Sequence, residues 1–182
     1  MIFTEQSIKG VWVIEPRVQR DERGYFMESF RKDLFEQHIG KTDFIQDNES
    51  QSTRGVLRGL HYQIGEYSQA KLVRALRGHV LDIVVDLRKS SKTFGKYVAV
   101  ELSEDNKKQL FVPRGFAHGF LVLSEKAVFA YKVDNLYSPN HDTTLLWNDP
   151  TINIGWNINR EELILSEKDQ KGNLLTDTYT FD

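Results

Sequence analysis

The sequence predicts an all-β domain of sandwich, jelly-roll or barrel type. Three observations carry this: eight or more short β-rich runs each end in a turn signal, helix-forming stretches are scarce, and 182 residues that are 40% apolar and 12% aromatic can fill a real core. The early runs are Val11 to Ile14, Gly24 to Phe26, Gly55 to Leu57 and Lys71 to Val73. Val80 to Val85, Tyr97 to Leu102, Leu110 to Val112, Phe120 to Leu123 and Val128 to Tyr131 continue the series, each rich in β-branched or aromatic residues. One helix is expected at Arg31 to His38, with Leu34 and Phe35 facing the core and Gly40 ending it, and a second near Glu161 to Leu165. No repeat or low-complexity run is visible, and the four prolines are dispersed, so residues 1–182 read as one domain.

Alternation along Val80 to Leu87 sets Leu81, Ile83, Val85 and Leu87 on one face, with Asp82 and Asp86 beside Val80 and Val84 on the other. Taken alone, a carboxylate such as Asp82 is either solvated at a sheet surface, the commoner fate and the one expected here, or turned into a polar cavity.

Composition excludes several classes. A net charge of −2 offers no bulk attraction to nucleic acid or anionic lipid, although a local anion pocket remains open. Without cysteine there are no disulfides, thiolate metal sites or cysteine nucleophiles, which agrees with a cytoplasmic address. Glu5, Gln6 and Lys9 interrupt the stretch where a signal peptide would need apolar residues. The most apolar segments, Val80 to Leu87 and Phe116 to Leu123, fall far short of the ~20 residues of a membrane helix, so a soluble protein is expected.

Of the five histidines, His38 at a helix end and His79 after Gly78 read as ordinary. His61 in Arg58–Gly–Leu–His–Tyr–Gln63 and His118 in Pro113–Arg–Gly–Phe–Ala–His–Gly119 each lie in a β-rich run beside glycine, which admits close approach of backbone or ligand. Taken singly, a hydrogen-bonded structural histidine is the commoner case. Metal binding is not expected: two imidazoles from one strand need His-x-His, whereas His61 is followed by Tyr62 and Gln63. A set of Gln63, His118 and Glu66 would be a poor substitute.

Six segments together resemble the dTDP-4-dehydrorhamnose 3,5-epimerase family. They are Arg20–Asp–Glu–Arg–Gly–Tyr–Phe–Met–Glu28, Phe44–Ile–Gln–Asp–Asn–Glu–Ser50, Gly55–Val–Leu–Arg–Gly–Leu–His–Tyr–Gln63, Lys71–Leu–Val–Arg74, Phe111–Val–Pro–Arg–Gly–Phe–Ala–His–Gly–Phe120 and Ser166–Glu–Lys–Asp169. The similarity runs from about residue 5 to 170, in order. It implies a cupin-type jelly roll, a homodimer with strand exchange, a dTDP-sugar substrate, and no metal or nucleotide cofactor.

The family's reaction sets the chemical requirements. A C4 ketone acidifies the hydrogens on C3 and C5, so epimerisation needs a base, a group that stabilises the enolate, and an acid on the opposite face. By resemblance His61 is the base, Asp169 the carboxylate that orients it, Tyr131 the acid and Lys71 the cation near the enolate oxygen. Imidazole ordinarily titrates at ~6.5, suited to proton abstraction near neutrality. Arg23 and Arg58 match positions that bind the diphosphate, a task suited to the planar guanidinium fork. Phe26, Glu28, Gln46, Asp47 and Asn48 match a stretch that holds the nucleotide, part of it across the dimer interface. His118 and Lys168 match further binding positions, and Asp142 matches more loosely, because many relatives carry Glu there.

Strict alternation puts Arg58 and His61 on opposite faces, yet the resemblance assigns both to one site. Either Gly59 marks a bulge or Arg58 reaches around the mouth of the strand. Three other functions compete: epimerisation at C3 or C5 alone, a non-catalytic carbohydrate-binding jelly roll, and a metal-dependent cupin oxygenase or isomerase.

Overall fold

The computed structural model describes residues 1–182. In chain order its strands are β1 (Ile2–Glu5), β2 (Trp12–Glu15), β3 (Val18–Asp21), β4 (Gly24–Met27), β5 (Gln46–Thr53), β6 (Leu57–Gln63) and β7 (Lys71–Arg77). They continue as β8 (His79–Asp86), β9 (Tyr97–Ser103), β10 (Gln109–Val112), β11 (Phe116–Val122), β12 (Lys126–Val133) and β13 (Asp142–Thr144), with helices α1 (Lys32–His38) and α2 (Glu167–Gln170). One antiparallel sheet has the order β1-β2-β10-β7-β12-β5 and the other β13-β6-β11-β8-β9, while β3 and β4 form a separate hairpin. From β5 to β13 the chain changes sheet at every connection except β8 to β9, which makes the two sheets the halves of a jelly roll.

Inward residues of both sheets form the central core. Val73, Ala75, Leu110, Ala127 and Phe129 come from one sheet and Val80, Val84, Leu102, Phe116 and Phe120 from the other. The outer face of the five-stranded sheet is buried too, because Trp147, Ile152, Trp156 and Leu175 of the C-terminal segment cover Leu57, Leu60, Ile83, Val85 and Leu121. A strand covered on both faces reads as a nearly unbroken apolar run, and every residue of β11 is buried. On the six-stranded sheet α1 packs against the outer face, with Phe35 edge-on to Phe111 at 5.1 Å.

Several expectations need correction. The expected helix near Glu161 to Leu165 is a single 3₁₀ turn at Arg160–Glu162 followed by extended chain, because Ile164 is drawn into a parallel bridge with Val56. Strand β5 gave no apolar signal; its sequence is polar throughout, and it pairs only at the sheet edge, with β12. Asp82, expected at a solvated surface, is fully buried, since its face of β8 points between the sheets and the five-stranded sheet has no wet side here.

The register between β6 and β11 decides the Arg58 question. His118 faces His61 and Phe120 faces Arg58, so two steps on β11 span three on β6. That bulge turns Arg58 and His61 to the same inner side, while Leu57 and Leu60 both point out to the other core. It also presses two backbones together: a Cβ on Gly119 would lie 2.5 Å from the Arg58 carbonyl oxygen, and one on Gly59 would lie 2.6 Å from Gly119 Cα. Gly119→Ala is therefore expected to destabilise the fold by about 1–3 kcal/mol in urea titration, the usual range for overpacking. Gly155→Ala, where a Cβ would come no closer than 3.8 Å to Tyr97, should be close to neutral and serves as the control.

Candidate active site

The site is built where the C-terminal segment meets the start of β6. Ile164 N donates to Gly55 O at 2.9 Å, and Leu57 N donates to Ile164 O at 3.1 Å. Gly55 has a φ of +81°, and a Cβ there would fall 2.2 Å from the Glu162 carbonyl oxygen, so only glycine allows this docking. Two residues beyond Ile164, Ser166 caps α2 and its hydroxyl donates to Asp169 Oδ2 at 2.7 Å, while Asp169 N donates back to Ser166 Oγ at 3.1 Å. The carboxylate so held accepts His61 Nε2–H on its other oxygen at 2.5 Å. Burial pushes the Asp169 carboxyl up, but the bonds from His61 and Ser166 outweigh it and hold it below the usual range. Nε2–H is thereby committed to Asp169, and neutral His61 keeps a free lone pair on Nδ1.

Tyr131 on β12 and Lys71 on β7 face His61 from the opposite sheet. These three residues line both of two adjoining cavities of about 150 and 160 Å³. Burial raises the Tyr131 phenol, while the nearby Arg58 opposes and Asp142 adds to the shift, so it stays protonated well past neutrality. Lys71 donates to the His61 carbonyl oxygen at 3.2 Å. Burial pushes its ammonium down to about 8 although the Asp142 and Asp82 carboxylates resist.

The remaining expected site residues divide into two groups. Arg58 and His118 line one cavity, Gln46, Asn48 and Asp142 the other. Arg58 Nε donates to Ser52 Oγ at 2.9 Å, Gln46 donates to Asn48 at 2.8 Å, and Lys168 is ion-paired to Asp142 at the rim. His118 is bonded to Asp82. In contrast Arg23, Phe26 and Glu28 sit on or beside the β3–β4 hairpin, outside both cavities, with Arg23 paired to Asp21 and Glu28 to Arg31. Asp47 alternates away from Gln46 and Asn48 and pairs with Lys132 on the outer face of the sheet. That outer face also carries a cavity of about 300 Å³, but it holds no histidine and lacks the base–acid pairing of the inner site. Gln63 is fully engaged by Tyr67, Leu136 and Ser138, and no three His, Asp or Glu side chains are grouped as metal ligands.

The profile of the dTDP-4-dehydrorhamnose 3,5-epimerase family matches residues 5–177. The chain belongs to this epimerase family. A Shigella flexneri dTDP-4-dehydrorhamnose 3,5-epimerase is 53% identical over 182 residues, all of this chain and 99% of the relative. The crystal structure of the Elizabethkingia anophelis enzyme of that name superimposes with a TM-score of 0.94 at 50% identity, covering 97% of each chain. A Legionella pneumophila 3,5-epimerase solved in complex with dTDP-4-keto-L-rhamnose matches with a TM-score of 0.93 at 44% identity, covering 97% of this chain and 93% of that one. The jelly roll is thus of the cupin type seen in these epimerases. No helix is long and apolar enough to cross a membrane.

Three residues that position or line this cavity were given no role by the sequence reading. Asp82 was set aside as a surface carboxylate. Tyr137, which donates to Asp142 Oδ2 at 3.0 Å and borders the cavity, carried no signal beyond being an exposed aromatic near a proline. Ser166 did have a signal, because Ser-x-x-Asp ahead of a short helix is a capping pattern. Ser166→Ala is expected to cost about 1 kcal/mol as a lost cap and to leave Asp169 free to turn, lowering turnover more than substrate affinity. Urea unfolding beside steady-state kinetics checks both parts.

Proposed function

We propose that this chain converts dTDP-4-dehydro-6-deoxy-D-glucose to dTDP-4-dehydro-L-rhamnose by epimerisation at C3 and C5, in dTDP-L-rhamnose biosynthesis. The observation that carries the reading is a carboxylate-bound imidazole and a phenol entering one cavity from opposite sheets, with a buried ammonium between β-strands at its wall. The bare Nδ1 of His61 takes the proton from the carbon beside the ketone, and the electron pair moves onto the ketone oxygen as an enolate. Lys71, itself buried, offsets that developing charge, and a group so placed contributes several kcal/mol. Tyr131 then returns a proton to the same carbon from the other side, leaving an imidazolium and a phenolate that reset through solvent. Neither a redox partner nor a cofactor enters this proton balance.

The nucleotide is held by Arg58, Gln46, Asn48, Asp142 and Lys168 around the mouth of the cavity, while His118 is buried deeper in its wall. Arg23, Phe26 and Glu28 line neither cavity of their own chain, which supports a homodimer in which each hairpin completes the partner's site. Asp47 is given only a supporting part, through Lys132. The whole chain acts as one jelly-roll unit at a cytoplasmic address.

Incubation with dTDP-4-dehydro-6-deoxy-glucose in D₂O is expected to place one deuteron on C3 and one on C5, counted by NMR. Label at a single carbon would make the enzyme a 3- or 5-epimerase, and no label would remove the reaction altogether. Tyr131→Phe should keep solvent exchange while inversion falls about 10²–10⁴-fold, the usual worth of a positioned acid. Equal loss of both would remove the two-sided assignment.

The charge on Lys71 gives a pH dependence. Its ammonium is present below about 8 and is lost above, so turnover falls as pH rises. One unit past that point the charged fraction has dropped about tenfold. Lys71→Arg, charged throughout, should move this alkaline limb upward, and a limb that stays in place would assign it to another group.

A further inference from the structure

One buried ionisable group behind the cavity wall has no part in the steps above. Asp82 on β8 has no exposed surface, and its two oxygens lie 2.9 and 3.0 Å from His118 Nε2. A carboxylic acid carries its proton on one oxygen only, so near-equal distances to both fit a carboxylate that accepts Nε2–H between them. With Nε2 protonated, neutral imidazole has a bare Nδ1. That atom has no hydrogen bond within the chain, and the one enclosed side-chain polar atom without a partner is Thr144 Oγ1, so His118 Nδ1 opens onto the cavity it shares with His61, Lys71 and Tyr131.

We propose that Asp82 is a positioning residue that fixes His118 as a hydrogen-bond acceptor, whose Nδ1 takes a bond from a hydroxyl of the sugar ring and so orients the reacting carbons. This deepens the reading of the cavity as the sugar site and rests on it. The donor–acceptor balance of the cavity supports the assignment. Lys71 and Arg58 only donate, and the free nitrogen of His61 is directed at carbon-bound hydrogen. A ring hydroxyl must donate its own proton somewhere; Glu49 on this cavity is exposed at the sheet edge and Asp142 is engaged by Lys168 and Tyr137, so His118 Nδ1 is the buried acceptor beside His61. A carboxylate behind an imidazole sets the tautomer in the same way that outer partners orient metal-bound histidines.

The test uses the intact protein labelled with nitrogen-15 in histidine. Long-range proton–nitrogen correlation near neutral pH is expected to show one ring, absent in His118→Gln, with Nε2 protonated and Nδ1 bare. The Nδ1 signal should move on addition of dTDP-glucose, which has ring hydroxyls and no ketone, and stay still with dTDP. A protonated Nδ1 in the free protein, or the same response to both ligands, overturns the proposal. Asp82→Asn should raise KM for the keto sugar about tenfold or more, as expected when a site built to bond a hydroxyl loses its partner, with dTDP affinity unchanged. Unchanged KM, or equal loss of dTDP binding, also overturns it. If Asp82→Asn does not fold, the spectra of the unaltered protein decide alone. Deuterium uptake measured on the same preparation separates this outcome from failure of the epimerase reading itself.

Discussion

The bond between His61 and Asp169 joins residues 108 positions apart, and most of the architecture can be read as what is needed to make it. It requires the C-terminal segment to leave the outer face of the five-stranded sheet, dock on the start of β6 through Gly55 and Ile164, and stop at a capped turn. Each requirement has its residue. Gly55 gives room beside the Glu162 carbonyl, Ile164 supplies the bridge, and Ser166 caps the helix and bonds the carboxylate at once. An imidazole held by one nitrogen in this way has lost the freedom to choose its tautomer, which is what a proton-transferring group needs.

A second constraint is electrostatic. Lys71, Asp82 and Asp169 are all buried near one cavity, and burial alone moves each toward its neutral form. They remain tolerable because they face one another or accept strong hydrogen bonds: Asp82 and Asp142 act on Lys71, His118 on Asp82, and His61 and Ser166 on Asp169. Such a set is weak support for stability, because well-packed apolar side chains of the same size would avoid the desolvation altogether. Its presence inside a sandwich otherwise filled by Val, Leu and Phe is the mark of a site where charge has a chemical use.

The strands that carry the core were legible from composition and alternation, because β8, β11 and β12 are lined by β-branched and aromatic residues whatever they pack against. β5 was not: Gln46 to Thr53 contains no apolar residue, and it becomes a strand only because β12 offers it an edge. The resemblance singled out His61, Tyr131, Lys71 and Asp169, and the structure brings all four together. Asp82 was misread because alternation names a face and leaves open what covers it. Asp47 was grouped with its neighbours along the chain, although in a strand adjacent residues point to opposite sides.

What the sequence by itself determined is the all-β character, the turns, the absence of thiol chemistry and, through its ordered motifs, the family. These depend on local propensity and on residue identity, which are written position by position. Tertiary structure decided the rest. The bulge at Gly59 turned Arg58 and His61 to one side, the C-terminal docking brought Asp169 to the imidazole, and the second layer over the sheet buried Asp82. Each of these depends on backbone contacts between segments far apart in the chain, and period-two patterning within one strand contains no information about its partner.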